Sequence, residues 1–425
     1  MLKIFKNTII KNSLVLISGT VIAQIIPLIM QPVLKHIYTP EDFGVFEVYY
    51  RILSILAAVI TFKYELGIVQ QKNKKHAETL FVISLLNGFA ITFILSVLYF
   101  LFQENILIFF KIPEKFNYIF YILFFSAFLF SVSVSSNYLL LRTKQFKVIT
   151  SGKIIRRFNE ALVQISSLYK HFPAFLFLGD LIGNISYLIN ALFGYKFNLK
   201  EFKKNINFKR IFISYKNQFY LTKYNLIPNL LNAFVLSSLT FLTLSNFAIN
   251  TVGYLELALK ILLIPSSMVS VSVGQGLLQK IAANKNNNKP VKNDLLTVFI
   301  VLTIIAIIFT LLIILFAEPA FNLLFGKEWI QSAYFAKILV SYISIAFIFS
   351  PLGQVLIAFE KFKINAIWQT ARFMAIIALF AIKFTGITYL LIVFSVTNIV
   401  FYLIYGLIIA NQVIKYEKRI ALIKI

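Results

Sequence analysis

The sequence predicts an all-α polytopic membrane protein with about twelve transmembrane helices. Of its 425 residues, 59% are hydrophobic and 13% are charged, whereas an ordinary soluble domain carries about 25% charged residues. The mean hydropathy of +0.83 is spread over many apolar runs that are long enough to cross a bilayer. A soluble globular protein is excluded, because so few charges could not cover its surface.

The first apolar run follows three lysines and extends to about residue 34. No small-residue cleavage site follows it, so we predict an uncleaved first helix rather than a signal peptide. The remaining predicted spans are 43–62, 79–101, 116–141, 150–170, 173–193, 219–246, 251–276, 294–316, 333–356, 364–383 and 388–410.

The fifth span, 150–170, is polar for a lipid-facing helix. The twelve-helix topology nevertheless requires this span. The basic clusters at 142–147 and 196–216 should both lie on the cytoplasmic side of the membrane. The residues between them are enough for two helices that cross the membrane. A helix this polar must face protein or a water-filled cavity.

The distribution of cations predicts the topology. In the twelve-helix arrangement, 27 Lys and Arg residues outside the helices lie on the side of the N-terminus. Four lie on the opposite side, or five if Lys170 at the end of the fifth span is counted. Cytoplasmic loops are enriched in Lys and Arg, so we expect both termini in the cytoplasm. The net charge of +25 therefore fits a membrane protein, and no nucleic-acid partner is predicted.

No catalytic or cofactor signature is present in the sequence. The chain has no cysteine and three dispersed histidines, so we predict neither a metal site nor a cofactor. No phosphate-binding loop of an ATPase is present. All predicted outside loops are short, which disfavours an enzyme that acts outside the membrane.

Two sequence patterns recur about half a chain apart. Gly-x-x-Glu-x-x-x-basic-Ile occurs at 44–52 and at 253–261, and Phe-Lys followed by Arg nine residues later occurs at 146–156 and at 362–372. We therefore expect two pseudo-symmetric six-helix bundles, 1–195 and 219–425, joined by a basic cytoplasmic linker at 196–218.

Several charged residues fall within predicted helices, at related places in the two halves. The cations are candidate ligands of an anionic substrate in a central lumen: Arg51, Arg156, Arg157, Lys223, Lys260 and Arg372. The carboxylates are candidate counter-ions or ion-coupling groups: Glu47, Glu160, Asp180 and Glu256. The alternative interpretation is a set of internal salt bridges that neutralise charges and lock the bundles.

Six short motifs identify a family resemblance. They are Tyr38-Thr-Pro-Glu-Asp-Phe-Gly44, Lys63-Tyr-Glu-Leu-Gly-Ile-Val69, Leu141-Arg-Thr-Lys-Gln-Phe-Lys147, Pro228-Asn-Leu-Leu-Asn232, Val252-Gly-Tyr254 and Leu324-Phe-Gly-Lys-Glu-Trp329. With them the chain resembles, over nearly its whole length, the Wzx-type polysaccharide flippases of the multidrug/oligosaccharidyl-lipid/polysaccharide (MOP) exporter superfamily.

The resemblance implies a MATE-like fold and export of undecaprenyl-diphosphate-linked oligosaccharide repeat units by alternating access across a bacterial inner membrane. The product would serve O-antigen, capsule or exopolysaccharide synthesis, beside a glycan polymerase and chain-length proteins. Exchange of a proton or sodium ion is left open. The alternatives are a multidrug exporter of the same superfamily, for which we expect a more acidic cavity, and a membrane glycosyltransferase or glycan polymerase.

Overall fold

The computed structural model describes residues 8–168, 172–195, 202 and 207–423, with side chains described from residue 18 to residue 422 within these ranges. Over these residues the chain is helical and contains no strand. The twelve longest helices are α1 (Thr8–Ile37), α2 (Pro40–Val59), α3 (Lys74–Leu101), α4 (Ile119–Arg142), α5 (Phe146–Ile165), α6 (Ala174–Tyr195), α7 (Phe219–Asn246), α8 (Ile249–Asn286), α9 (Lys292–Phe325), α10 (Ile330–Leu352), α11 (Phe362–Ala378) and α12 (Ile387–Ile423).

Each of the twelve predicted spans coincides with one of these helices. Within the described residues, ten helices are long and apolar enough to cross a membrane. The two others are α2 and α5, which are interrupted by charged residues. The prediction of an all-α polytopic membrane protein is confirmed, and the fold class is that of a multi-pass membrane protein.

Several helices extend beyond their predicted spans. Helix α8 continues to Asn286 and α12 to Ile423, whereas hydropathy predicts ends near 276 and 410. A helix can continue into water as long as its backbone hydrogen bonds are kept, so an apolar run marks the membrane segment rather than the helix end.

The motif at 38–44 forms the turn between α1 and α2. Thr39 caps α2: its side chain accepts from the amide of Asp42, and the Asp42 carboxylate accepts from the amide of Thr39 at 2.9 Å. Pro40 occupies the first helical position, where its missing N–H costs nothing. The hydroxyl of Tyr38 donates to the carbonyl oxygen of Gln164 at 2.7 Å, so the turn is fixed to the end of α5.

The Lys63-Tyr-Glu motif forms a second fixed turn, after α2. Phe62 and Lys63 both have positive φ angles, of 49° and 65°, which reverse the chain. The buried Tyr64 ring stacks on Tyr215, and its hydroxyl donates to the Tyr215 carbonyl oxygen at 2.9 Å. Thr222 donates to the carbonyl oxygen of Phe62 at 2.7 Å. The motif therefore joins α2 to the segment that precedes α7.

The chain forms two compact units. The first comprises Met1–Leu244 with Ala248–Gly253, and the second Ser245–Phe247 with Tyr254–Ile425. In the first unit, α5 packs against α1 and α6, and α4 packs against α3 and α6. In the second, α10 packs against α9 and α12, and Trp368 stacks on Tyr405 with ring centroids 4.0 Å apart.

Helix α7 belongs to the first compact unit, whereas the bundle boundaries predicted from the sequence place it in the second bundle. The contacts of Thr222 with the turn after α2 account for this placement. Of the predicted linker 196–218, residues 196–201 and 203–206 lie outside the described residues. The described part contains a short helix, Phe208–Asn217. The bundle boundaries 1–195 and 219–425 remain a prediction.

Candidate anion-binding site

Helices α5 and α6 of the first unit approach each other closely at two glycines of α6. A Cβ atom placed on Gly183 would lie 2.8 Å from the carbonyl oxygen of Arg156, and one on Gly179 would lie 2.9 Å from that of Glu160. Both distances are too short for a side chain, so the spacing of small residues lets the two backbones meet. The polar face of α5 is thereby pressed onto α6.

This approach creates an ion pair between the two helices. Arg156 Nη2 lies 3.1 Å from Asp180 Oδ1, and the hydroxyl of Tyr49 on α2 donates to Asp180 Oδ2 at 3.1 Å. Asp180 is 1% exposed. Its charge is therefore compensated by one cation and one hydroxyl donor from two different helices, as a buried carboxylate requires.

Three further ion pairs among the candidate residues form within single helices. Arg51 Nε lies 2.5 Å from Glu47 Oε1 on α2, and Arg157 Nη1 lies 2.7 Å from Glu160 Oε2 on α5. In the second unit, Lys260 pairs with Glu256 on α8. Spacings of three or four residues place both members of each pair on one helix face.

All four pairs have the same polarity: the carboxylate is buried and the cation is more accessible. The cationic side chain is 18% exposed in Arg51 and 20% in Arg156, against 4% in Glu47 and 1% in Asp180. It is 26% exposed in Arg157 and 27% in Lys260, against 11% in Glu160 and 1% in Glu256. Each pair therefore presents positive charge to the space outside the packed helices. Such a surface attracts anions and repels cations.

Arg372 on α11 is held without a carboxylate. Its Nε and Nη2 donate to Asn398 Oδ1 on α12 at 3.1 and 2.8 Å, and its guanidinium lies over Tyr402 at 4.9 Å from the ring centroid. No ion pair of Arg372 occurs among the described residues. An amide oxygen orients the guanidinium but does not neutralise it, so a full positive charge remains for an anionic ligand.

Lys223, the last predicted cation, lies on the exposed side of α7, with Nζ 5.6 Å from the ring centroid of Tyr224. The structure thus groups Arg156, Arg157, Glu160 and Asp180 on the α5–α6 pair, and places Arg51 with Glu47 on α2. Lys260 with Glu256, and Arg372, lie in the second unit.

The sequence reasoning missed two residues that position these charges, Tyr49 and Asn398. A single sequence gives no signal for either, because each reaches its partner from another helix. The small-residue spacing at 179–183 was a signal for the close approach of α6 to α5. Among the described residues, no cluster of three metal-ligating side chains occurs.

The fold is that of a multi-pass membrane protein. The chain is similar in structure to "Lipid II flippase MurJ, inward closed conformation", with a TM-score of 0.71 and 15% identity over 96% of this chain and 91% of the other. It is similar to an inward-facing multidrug resistance MATE family transporter of the MOP superfamily, with a TM-score of 0.68 and 11% identity over 93% and 96% of the two chains.

Residues 33–334 match the sequence model of a family described as "Polysaccharide biosynthesis protein". This match covers more than half of the chain, and the chain belongs to that family. A comparison with curated protein sequences finds no match. The predicted resemblance to a polysaccharide-biosynthesis family is thereby confirmed.

A third structural match has a title that mentions the polarity of its binding pocket. Its title is "Reverse polarity of binding pocket suggests different function of a MOP superfamily transporter from Pyrococcus furiosus", and it aligns with a TM-score of 0.58 and 11% identity over 96% of both chains. The identities are low, so these structures establish the shared fold alone.

Proposed function

We propose that the protein is a flippase that moves polyprenyl-diphosphate-linked oligosaccharide repeat units across the bacterial inner membrane for surface polysaccharide synthesis. Its termini would lie in the cytoplasm, and transport would proceed by alternating access. The observation that carries the proposal is the shared polarity of the ion pairs, together with the uncompensated charge of Arg372.

The proposed substrate has three parts with different needs. A sugar headgroup cannot cross hydrocarbon cheaply, because each buried hydroxyl costs free energy unless it is hydrogen-bonded, so a polar route is required. The polyprenyl tail can stay in the lipid phase. The diphosphate needs cations, and the planar fork of Arg matches two phosphate oxygens at once.

Each unit would offer cations of its own to a diphosphate. They are Arg51, Arg156, Arg157 and Lys223 in the first unit, and Lys260 and Arg372 in the second. The buried carboxylates Glu47, Glu160, Asp180 and Glu256 would hold the cations in place when no substrate is bound. A phosphate oxygen approaching from the exposed side can then bind without displacing them.

The membrane potential would favour this direction of transport. Moving a negative charge out of an inside-negative cell is favoured by roughly 2.3 kcal/mol per charge per 100 mV, and a diphosphate ester carries about two such charges. Exchange of a proton or sodium ion is not required for this energetic argument.

The competing functions predict a different charge pattern. A multidrug exporter of cationic compounds should present carboxylates to its substrate, whereas these pairs present cations. A glycan polymerase or glycosyltransferase should present accessible carboxylates or a metal site to the sugar. The buried carboxylates of the four pairs are poorly placed for either role.

The proposal is tested by complementation of a bacterial strain that lacks its repeat-unit flippase. We expect expression of this chain to restore surface polysaccharide, and we expect no increase in resistance to cationic drugs in the same cells. Restored drug resistance without restored polysaccharide, at a membrane abundance confirmed by immunoblot, would identify a drug exporter instead. Because carriers of this type can be selective for their glycan, strains with several repeat-unit structures are compared.

A further inference from the structure

An apolar groove of about 760 Å³ lies in the second unit, between α9, α10 and α12. The residues that line it are apolar or glycine except for Lys292, Glu417 and Lys418. These three charged residues belong to the first turn of α9 and the last turns of α12. The groove therefore has a long apolar part and a charged end, and none of the candidate cations described above lines it.

Two small residues of α12 leave space in the apolar part. Gly406 packs directly against α10, because a Cβ atom placed on it would lie 2.3 Å from the ring of Phe349. Ala410 follows one turn later and is exposed. The larger side chains of Leu407 and Ile414 on the same helix are 72% and 53% exposed. Small residues between larger ones leave a furrow along α12 that an extended hydrocarbon chain can fill.

A carboxylate holds the charged ends of α9 and α12 together. Glu417 Oε1 accepts from the backbone amides of Val291 and Lys292 at 2.7 and 2.9 Å. The start of α9 and the last turns of α12 therefore lie at the same level, and Lys292 and Lys418 line the same end of the groove. Neither lysine forms an ion pair within the part of the chain that the structure describes. Two cations thus share this end with one carboxylate that is already bound to two amides, so the end is suited to an anion.

The apolar part of the groove matches one leaflet of a bilayer in length. Along α12 it runs from Leu403 to Ile414, which is about 16 Å at the rise of an α-helix. The hydrocarbon core of a bilayer is about 30 Å thick, so one leaflet contributes about 15 Å. Lys418 lies one turn beyond Ile414, on the side where the headgroups would begin. An acyl chain that fills the groove would therefore bring its headgroup to the two lysines.

Length and charge together favour a resident phospholipid over two other occupants. The tail of a lipid that crosses the membrane has to follow its headgroup from one leaflet to the other, whereas this groove extends over the length of one. A second copy of the chain would form a two-fold interface, which brings the same residues of both copies together. Lys292 and Lys418 would then approach their own counterparts and repel them.

We propose that this groove binds one acyl chain of an anionic phospholipid, whose phosphate is held by Lys292 and Lys418. Basic pockets between transmembrane helices bind lipid headgroups in this way. The bound lipid would fill the space between α9 and α12 and stabilise the contact of their ends through Glu417. The site is separate from the candidate substrate cations, so the proposal does not rest on the proposed transport function.

The test is lipid binding to the purified, detergent-solubilised full-length protein, measured by native mass spectrometry. The probes are phosphatidylglycerol, zwitterionic phosphatidylethanolamine, soluble glycerol 3-phosphate and a polyprenyl phosphate. Ala410→Phe fills the groove with an aromatic ring. Its matched control, Ile404→Phe, adds the same ring at an exposed position of α12 that does not line the groove.

A second variant, Lys292→Gln with Lys418→Gln, removes the cations and leaves the apolar part unchanged. Its matched control, Lys289→Gln with Lys415→Gln, removes the same number of charges from exposed positions outside the lining. If Ala410→Phe lowers the melting temperature in the absence of lipid, the double-lysine variant decides the test alone.

We expect phosphatidylglycerol to bind the wild type and both controls within about twofold of one another. Its affinity should fall at least about tenfold in the double-lysine variant, because hydrogen bonds to a charged group are lost. A similar loss is expected in Ala410→Phe, because the ring takes the place of the chain. Phosphatidylethanolamine should bind the wild type more weakly, and glycerol 3-phosphate should not bind. Phosphatidylglycerol should raise the melting temperature of the wild type and of Ile404→Phe but not that of Ala410→Phe.

Unchanged phosphatidylglycerol affinity in either properly folded groove variant would overturn the proposal, as would equal affinity of the wild type for phosphatidylethanolamine. Binding of glycerol 3-phosphate would indicate a soluble phosphate ligand instead. Displacement of phosphatidylglycerol by an equal concentration of the polyprenyl phosphate would assign the groove to the tail of a carried lipid. A wild-type dimer that Ala410→Phe dissociates would assign it to a second copy of the chain. Each of these three results would also overturn the proposal.

Discussion

Gly44 and Gly253 are 209 positions apart, and each packs against the helix that carries the other. A Cβ atom on Gly44 would overlap the carbonyl oxygen of Ile249, and one on Gly253 would overlap that of Pro40. Pro40 and Ile249 are themselves 209 positions apart. This reciprocity is what a two-fold relation between two sequence repeats produces where their equivalent helices cross.

The reciprocal contact predicts equal consequences at both glycines. Gly44→Ala and Gly253→Ala should each lower the melting temperature in detergent, because overpacking against a backbone carbonyl costs about 1–3 kcal/mol. The control is Gly276→Ala in α8, where, apart from the backbone of its own helix, no described atom lies within 4 Å of the added Cβ. There, alanine should leave the melting temperature unchanged or raise it. A large loss at only one of the two glycines would contradict the two-fold relation.

A double substitution separates the structural role of an ion pair from its binding role. Glu47→Gln and Arg51→Gln alone should each reduce the protein's abundance, because breaking a buried pair costs about 3–5 kcal/mol. The double variant should recover much of the abundance but not polysaccharide export, since the cation is absent. Export restored together with abundance would show that the pair is structural only. Membrane immunoblots and polysaccharide staining measure the two quantities.

The two candidate arginines at equivalent places should differ in their effect on folding. Arg372→Ala removes a cation bound to an amide oxygen, so abundance should stay near normal while export is lost. Arg156→Ala leaves Asp180 buried without the cation that is hydrogen-bonded to it, so both abundance and export should fall. Arg→Lys at 372 should restore export only in part, because Lys offers a point charge without the planar fork.

The control for the Arg156→Ala variant is the double variant that also carries Asp180→Asn. The neutral amide no longer needs a cation, so abundance should recover while export stays low. Full export by the double variant would exclude a direct role for Arg156 in substrate binding.

Glu65, in the turn after α2, predicts a pH dependence of stability. Burial raises the pKa of its carboxyl group, and Lys63 Nζ is 4.0 Å from it. Since the folded state holds this proton more tightly than the unfolded state, the contribution to stability is present at acidic pH and is lost as the pH rises through the raised pKa. Glu65→Gln should therefore preserve or raise the melting temperature at neutral pH. The melting temperature of this variant should also fall less than that of the wild type between acidic and neutral pH.

Glu360 serves as a control of opposite sign. Its hydrogen bond and charge interaction with Lys285 lower the pKa of its carboxyl group. Its contribution is present above the ordinary pKa of a glutamate and is lost as the pH falls through the lowered value. Identical pH profiles for Glu65→Gln and Glu360→Gln would contradict this account of both groups.

The sequence predicted the helices well because bilayer-spanning runs leave a strong apolar signal. It also predicted the pairing of Glu256 with Lys260, since a spacing of four residues is a local property of a helix. The contact of Arg156 with Asp180 was not predictable in this way. It depends on how α5 and α6 approach, which is set by two glycines and by a tyrosine from a third helix.

The sequence also could not predict which member of each ion pair is buried and which is accessible. A glutamate and an arginine four residues apart can bury either group, and the choice depends on what packs against the helix. Glu47 is buried on α2, where the adjacent Phe46 stacks on Tyr49 and meets Phe177 of α6 edge-on. The structure therefore adds the direction in which each charge is presented, which is the basis of the functional proposal.

The most direct test of the central claim is transfer of a fluorescent polyprenyl-diphosphate oligosaccharide across the bilayer of proteoliposomes that contain the purified protein. We expect transfer by the wild type and by the control Lys327→Gln, whose cation is exposed and outside the predicted lumen. Arg372→Gln should lower the transfer rate at least about tenfold, as loss of about 1.4 kcal/mol of stabilisation would. A rate for Arg372→Gln equal to that of the wild type, or equally fast wild-type transfer of a lipid with an uncharged link to the sugar, would contradict it.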